Sequence, residues 1–253
     1  MMHALPFRPI LSTLIAIAAF FTCARFCVSQ DGDSNRKHPT DTSTAASPIG
    51  PTITGVITYE ADPKRRWRYS RYYVNAKGQG ELAEAVVALR GSGLKGLDAH
   101  REAAVSVIDQ QDFRFVPETI AVRAGDRVKF TNNDPGTHNV FSNTPLHSFD
   151  VTLAFGDEVE ETFPRAGGTS RPIVLGCRLH GNMQAWIYVF DHPYFALTTK
   201  DGRFRFEGVP PGNYRLEVVH PAGSLRSSRK IVLQSDKDQK FNVSLSPDDR
   251  RTR

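Results

Sequence analysis

The stretch that decides the fold is DFRFVPETIAVRAGDRVKFTNNDPGTHNVFS, residues 112–142. Apolar and polar residues alternate through ETIAVR and DRVKFTN, and Ala124-Gly125-Asp126 separates the two runs. Alternation with a period of two is typical of strands with one buried face, and a Gly beside an Asp is typical of a turn. The stretch therefore predicts consecutive short strands, with a second turn at Asp134-Pro135-Gly136 that places His138 at the head of the next strand.

The same alternation recurs on both sides of this stretch, while helical periodicity is almost absent. The alternating segments are TITGVITY (52–59), AEAVVAL (83–89), RFRFEG (203–208), NYRLEVV (213–219) and KFNVSL (240–245). Turn signals at Asp201-Gly202 and Pro210-Pro211-Gly212 separate several of them. Many short strands with Gly and Pro turns predict an all-β protein built from sandwiches or barrels.

A second informative stretch is CRLHGNM, residues 177–183, which lies between two predicted strands. A cysteine thiolate with imidazole nitrogens is a set of donors that copper accepts, and a weak methionine contact completes such sites. Cys177, His180 and Met183 share this loop, so a further ligand must come from elsewhere, and His138 is the candidate. Zinc is a chemical alternative for the Cys and His donors, although Met183 favours copper. Two further alternatives concern Cys177 itself: it is an inert buried thiol, or it is a catalytic nucleophile with His180 as the base.

These two stretches together resemble the cupredoxin family. The residues from Phe115 to Val140 are similar to its F-x-P…G-D-x-V-x-F-x-N-x-D…H-N-V pattern, and the C-x-x-H-x-x-M loop is similar to the shorter spacing of its amicyanin-like members. The resemblance implies a Greek-key sandwich that holds one type 1 copper ion. It further implies that Asn139 links the two ligand loops. We also expect Trp186 and Phe141 to pack beneath the site, either as plain core residues or with an electronic role. The implied ligands are His138, Cys177, His180 and Met183.

The segment TKDGRFRFEGVPPGNYRLEVVHPAG, residues 199–223, resembles the carboxypeptidase regulatory-like (transthyretin-like) family. Such domains begin with two further strands, and matching segments occur far upstream, within residues 53–91. We therefore predict one small transthyretin-like sandwich formed by residues 51–99 and 193–245, with the cupredoxin-like domain, residues 104–192, inserted in it. The alternative is tandem order, with 51–95 as a separate hairpin. Residues 246–253 form a polar tail.

The beginning of the chain predicts export. Arg8 precedes an apolar run from Ile10 to Phe21, which is short for a membrane span but suits a signal peptide of residues 1–29. An uncut membrane anchor or a lipid-anchored cysteine are the alternatives. Residues 30–50 are polar and predict a flexible linker. Cleavage would leave Cys177 as the only thiol in an oxidising compartment, where a single cysteine is typically reactive, intermolecular or metal-bound.

The charge is distributed unevenly along the chain. The whole sequence carries +5, but residues 105–192 contain 7 Lys and Arg against 11 Asp and Glu, a net charge of −4. We hypothesise that this acidic segment attracts a basic redox partner such as a cytochrome. The basic run KRRWRYSR (64–71) has the composition of a nucleic-acid-binding segment, but export argues against that partner.

The sequence thus predicts an exported, periplasmic or extracellular type 1 copper protein that carries single electrons and is not an enzyme. No stable membrane span is expected after signal cleavage, and the composition does not indicate an oligomeric state. Two other functions are compatible with the same residues. One is a copper carrier or store with the same ligands, and the other is a structural or adhesive β-sandwich protein without metal.

Overall fold

Strands account for nearly all regular structure in the described part of the chain. The computed structural model describes residues 50–60, 74, 78–97, 100–221, 224–235 and 237–249. The predicted signal peptide, linker residues 30–49, the basic run 64–71 and tail residues 250–253 lie outside the described residues. Tail residues 247–249 form a 3-10 turn.

The described residues contain seventeen strands and two 3-10 turns, which confirms the all-β prediction. In chain order the strands are β1 (Ile53–Tyr59), β2 (Val86–Arg90), β3 (Val105–Gln111), β4 (Arg114–Val116), β5 (Thr119–Arg123), β6 (Arg127–Asn132), β7 (His138–Thr144), β8 (His147–Leu153) and β9 (Glu158–Thr162). They continue with β10 (Ile173–Gly176), β11 (Gln184–Phe190), β12 (Phe195–Leu197), β13 (Arg203–Phe206), β14 (Gly212–His220), β15 (Leu225–Leu233), β16 (Gln239–Lys240) and β17 (Val243–Leu245). The 3-10 turns are Ser92–Leu94 and Pro247–Asp249.

The strands form four sheets. Sheet A has the order β13-β1-β16, with β17 also on β1, and sheet B has the order β12-β2-β14-β15. Sheet C has the order β4-β3-β6-β9, and sheet D has the order β5-β11-β10-β7-β8. We call sheets A and B the first sandwich and sheets C and D the second sandwich.

Each sandwich encloses its own apolar core, because successive side chains of a strand point to opposite faces and one face of each sheet is turned inward. In β1 the burial alternates strictly, with Ile53, Ile57 and Tyr59 inside the first sandwich. The second sandwich is filled from both sheets, for example by Phe130 of sheet C and Ile187 of sheet D. The thiol of Cys177 and the side chain of Met183 belong to this second core cluster.

The strands of the first sandwich come from both ends of the described chain. β1 is antiparallel to β13, with Ile53 opposite Phe206, and β2 is antiparallel to both β12 and β14. The nine strands of the second sandwich, β3 to β11, lie between β2 and β12 in sequence. This pairing supports the domain limits 51–99 with 193–245 and 104–192, which we propose on that basis.

A third apolar cluster joins the two sandwiches. Val86 and Ala88 of β2 and Val219 of β14 face outward from sheet B, and they pack with Tyr188 and Phe190 of β11 in sheet D. Consequently β2 is buried on both faces, as its burial pattern shows. Among the described residues, no helix has the length and apolar character needed to cross a membrane.

Candidate metal centre

Three potential metal-binding side chains meet at one end of the second sandwich. The donor atoms of His138, Cys177 and His180 all lie within 4.8 Å of one another. Nδ1 of His138 is 3.0 Å from Nδ1 of His180, and the latter is 3.7 Å from Sγ of Cys177. His138 and Cys177 are buried, while His180 is half-buried and faces the outside. The structure thus brings together residues from two separated segments that the sequence had marked as ligands.

Strand pairing in sheet D explains why the two segments meet. His138 is the first residue of β7, and Cys177 directly follows β10. β7 and β10 are antiparallel neighbours with Phe141 opposite Gly176, so the start of β7 lies beside the end of β10. A Cβ atom on Gly176 would come within 2.9 Å of the Phe141 ring, and glycine therefore permits this close approach.

The loop from Cys177 to Met183 is short and closes on itself. The amide of Met183 donates to the carbonyl of His180 at 3.1 Å, and β11 begins at the next residue. The Met183 side chain is only 2% exposed and packs in the same core cluster as Cys177. The loop therefore turns the thiol and the thioether inward and leaves His180 at the surface.

Asn139 connects the two segments that carry the candidate ligands. Its amide N–H donates to Sγ of Cys177 at 3.4 Å, and its side-chain oxygen accepts from the amide of Arg178 at 3.3 Å. Its side-chain Nδ2 donates to Asp150 at 2.7 Å and to the carbonyl of Val151 at 3.0 Å. A buried amide with all these partners fixes the thiol relative to β7 and β8.

Asp134 holds the far side of the His138 ring. Its carboxylate lies 2.7 Å from Nε2 of His138 and also accepts the amides of Asp112 at 2.7 Å and Phe113 at 2.9 Å. Burial alone would raise the pKa of Asp134, but these amide hydrogen bonds together with His138 outweigh burial and lower the pKa. An ionised carboxylate only accepts, so Nε2 is the nitrogen of His138 that donates to Asp134, and Nδ1 is the nitrogen that faces His180.

Phe113 covers the two histidines from the neighbouring hairpin. Asp112 and Phe113 form the two-residue turn between β3 and β4, with φ angles of 52° and 57°. Such left-handed pairs match the twist of a hairpin, and the Asp134 carboxylate binds both turn amides. The Phe113 ring lies edge-on to both imidazoles, with centroids 5.4 Å from His138 and 5.0 Å from His180, yet it remains 57% exposed.

Sequence reasoning missed both Asp134 and Phe113 as parts of this site. The signal available for Asp134 was a carboxylate four residues before a candidate ligand histidine, separated from it by a turn. For Phe113 the available signal was weaker, namely a large apolar residue beside an Asp between two alternating segments. Neither spacing indicates which side chain a distant hairpin turn will contact.

Trp186 does not lie where the sequence suggested. We predicted that it packs beneath the metal site, but its ring packs in the cluster between the two sandwiches. The reason is the two-residue period of β11, which turns Ala185 and Ile187 into the second core and Trp186 and Tyr188 to the opposite face. Phe141 lies beside the site, with the guanidinium of Arg178 4.4 Å from its ring centre.

Both family resemblances are confirmed by comparison with known families. Residues 102–175 match the family of copper binding proteins, plastocyanin/azurin family, and residues 184–246 match the carboxypeptidase regulatory-like domain. The matches leave out residues 176–183, so the loop that carries Cys177, His180 and Met183 lies between them. The second match also includes β11, which the structure places in sheet D beside β5 and β10.

Solved structures with a similar fold include several copper proteins. The copper-containing nitrite reductase NirK of Thermus scotoductus SA-01 is 20% identical over 37% of this chain, with a TM-score of 0.33, and only 24% of its length is covered. A purple cupredoxin from Nitrosopumilus maritimus is 20% identical over 34% of this chain and 99% of its own, with a TM-score of 0.29. A reduced amicyanin mutant is 18% identical over 41% of this chain and 98% of its own, with a TM-score of 0.32. No curated protein matches the chain.

Proposed function

We propose that the protein is a type 1 copper protein that carries single electrons. The ligands would be Nδ1 of His138 and His180, the thiolate of Cys177 and the thioether of Met183. The observation that carries this proposal is the convergence of three donor atoms within 4.8 Å at the end of a copper-family sandwich.

The donor set fits copper on chemical grounds. Two imidazoles with one thiolate and a weak thioether form the ligand set of blue-copper electron-transfer sites. Bound copper would supply a centre that alternates between Cu(II) and Cu(I). The predicted single ion and its type 1 character belong to this proposal.

The surrounding residues favour such a role because they keep the donors in place. The Asp134 carboxylate fixes the tautomer of His138, and Asn139 fixes the thiol of Cys177 through its backbone N–H. Hydrogen-bonded outer partners of this kind orient ligands and tune the metal. Burial of Cys177 and Met183 in the apolar core also excludes water from the inner side of the site.

The surface above His180 is suited to electron exchange with a partner. Phe113 and Leu179 expose 57% and 56% of their surface there, and Pro135, Gly181 and Asn182 are exposed beside them. We propose that a redox protein, such as a basic cytochrome, docks on this apolar surface and is steered by the net charge of −4 on residues 105–192. The reduction rate with a basic cytochrome should then fall as salt is raised, and a salt-independent rate would refute the steering.

The location and the absence of enzymatic activity are part of the same proposal. Cys177 is free and buried, which suits a thiol that a metal protects in an oxidising compartment. We therefore propose export to the periplasm or the exterior. That the protein is not an enzyme stays a prediction.

One experiment separates electron transfer from copper transport or storage. The copper-loaded protein is reduced and reoxidised repeatedly in the presence of a strong copper chelator, and both the redox cycle and the copper lost to the chelator are followed. An electron carrier should complete many cycles while it retains its copper. Rapid transfer of copper to the chelator would favour the carrier or storage function, and failure to bind copper would favour the structural one.

A further inference from the structure

A cleft between the two sandwiches has the composition of a second binding site. It has a volume of about 160 Å³, and it is lined by Trp186 and Tyr188 of β11 and by His220 and Arg226 of the β14–β15 hairpin. Thr169, Ser170 and Pro172, which precede β10, form its third wall. A cavity of about 150 Å³ is large enough to hold a benzene ring, so the cleft accommodates a ligand of that size.

The cleft carries positive charge from Arg226. Its Nη2 donates to the hydroxyls of Ser170 at 3.0 Å and Thr169 at 3.3 Å. The buried carboxylate of Glu217 lies 3.9 Å from Arg226 and 3.5 Å from Arg90. Neither Glu217 nor Arg90 lines the cleft, so Arg226 is the charged side chain that the lining presents to a ligand.

Tyr188 supplies a second polar group that the protein itself leaves unused. The residue is 3% exposed and lines the cleft, and its hydroxyl has no hydrogen-bond partner among the described residues. Burial raises the Tyr188 pKa while the charge of Arg226 lowers it, and burial prevails, so the hydroxyl stays protonated and is able to donate. The hydroxyl is not among the fully buried atoms without a partner, so it is open to the cleft, where a ligand can accept its hydrogen bond.

The other titratable residue in the cleft does not change this charge. Burial lowers the pKa of His220 to about 4, so its imidazole is neutral at neutral pH. The rest of the lining is mixed and includes the hydroxyl residues Thr169, Ser170 and Ser224 and the apolar side chains of Trp186, Pro172 and Leu225. The cleft therefore combines one cationic fork and several hydroxyl groups, Tyr188 among them, with a flat apolar surface.

We propose that this cleft binds a small carboxylic acid with a flat apolar body, of the size of benzoate. The carboxylate accepts from the guanidinium of Arg226 and from the hydroxyl of Tyr188, since arginine and carboxylate pair through strong, charge-assisted hydrogen bonds. The apolar body packs against the indole of Trp186. The proposal goes beyond the copper function and does not depend on it.

Calorimetric titration of the purified protein with benzoate and with its neutral analogue benzamide tests the proposal. We expect saturable one-to-one binding of benzoate that is at least about tenfold tighter than that of benzamide, because only benzoate pairs its charge with Arg226. Arg226→Gln should remove the difference between the two ligands, and Tyr188→Phe should weaken benzoate several-fold. Arg229→Gln is the matched control, because Arg229 lies on the same strand but is exposed and outside the cleft.

The result that overturns the proposal is equally specific. Absence of saturable benzoate binding at millimolar concentration, equal affinity for benzoate and benzamide, or unchanged benzoate binding in both cleft variants would each refute it. Circular dichroism and thermal unfolding establish that each variant is folded, and Tyr188→Phe removes a single oxygen if Arg226→Gln proves unstable. Each titration is made with and without Cu(II), so that benzoate binding is measured independently of whether the protein binds copper.

Discussion

The buried carboxylate of Asp134 should contribute more to stability than any exposed carboxylate near the site. It is 5% exposed and accepts three hydrogen bonds, from the amides of Asp112 and Phe113 and from Nε2 of His138. Asp134→Asn keeps the shape but leaves one acceptor oxygen. In Asp134, Oδ1 accepts one of the three hydrogen bonds and Oδ2 accepts the other two. The asparagine variant therefore does best with its single oxygen in the place of Oδ2, where it still accepts two hydrogen bonds without a charge. Its NH2 group then faces the third donor, which loses its acceptor.

The magnitude follows from these contacts. Hydrogen bonds to a charged group contribute about 1.5–3 kcal/mol and neutral ones about 0.5–1.5 kcal/mol, so each retained bond weakens by about 1 kcal/mol. The donor left without an acceptor costs about 1–3 kcal/mol more. Asp134→Asn should therefore lower the free energy of unfolding by about 3–5 kcal/mol, a large part of the roughly 5–15 kcal/mol of a typical domain.

Urea unfolding of the metal-free protein measures this loss. The matched control is Asp150→Asn, because Asp150 accepts two side-chain hydrogen bonds, from Asn139 at 2.7 Å and Arg178 at 2.6 Å, but 45% of its side chain is exposed. Exposed pairs of this kind contribute up to about 1 kcal/mol. A loss below about 1 kcal/mol for Asp134→Asn, or a loss no greater than that of the control, would refute the reasoning.

The same variant should also bind copper less tightly. Without the carboxylate, the His138 ring loses the group that fixes its tautomer and orientation. Changes to such outer partners typically cost about 10–100-fold in metal affinity. Competition with a chelator of known affinity checks this, and an unchanged copper affinity would show that Asp134 supports only the hairpin turn.

Three further predictions follow from other contacts. Asn139→Ala removes the acceptor of the Arg178 amide and should lower the free energy of unfolding by about 1–3 kcal/mol in urea unfolding; an unchanged midpoint would contradict the linking role. Burial lowers the pKa of His220 from 6.5 to about 4. Between these pH values the unfolded chain binds a proton that the folded protein does not bind. The free energy of unfolding should therefore fall by about 3 kcal/mol as the pH is lowered from 6.5 to about 4. Urea unfolding at neutral pH and at about pH 4.5 should show this loss of stability in the wild type and a smaller loss in His220→Gln. An equal loss in both proteins would exclude His220 as its source. Phe130→Ala in the second core should cost about 3–5 kcal/mol, whereas Val107→Ala at the exposed face of β3 should change stability by less than about 0.5 kcal/mol, and similar losses would contradict the assigned core.

The strands and the cores were predictable because they depend on local patterns. Ile53, Ile57 and Tyr59 alternate with polar residues, and all three are buried as the pattern predicts. For β2 the alternating pattern predicted one buried face. In the structure its other face is buried as well, because Val86 and Ala88 pack against the second sandwich. An alternating pattern does not indicate that a second domain will cover the other face.

The candidate site was predictable only in part. The pattern of Cys177, His180 and Met183 was visible because the loop is local, and His138 was added because the turn at Asp134-Pro135-Gly136 places it at the head of a strand. Asp134 and Phe113 were not found, because their contacts depend on a hairpin turn and a strand start that meet only in three dimensions. Trp186 was expected beneath the site, but the two-residue period of β11 turns it to the face opposite Ala185 and Ile187.

The visible absorption of the protein with one equivalent of Cu(II), beside a Cys177→Ala variant, tests the central claim most directly. The account predicts an intense thiolate-to-copper band that is absent from the variant, because Sγ of Cys177 would be a direct ligand. A colourless wild-type protein, or a band that persists in Cys177→Ala, would contradict the proposed copper centre.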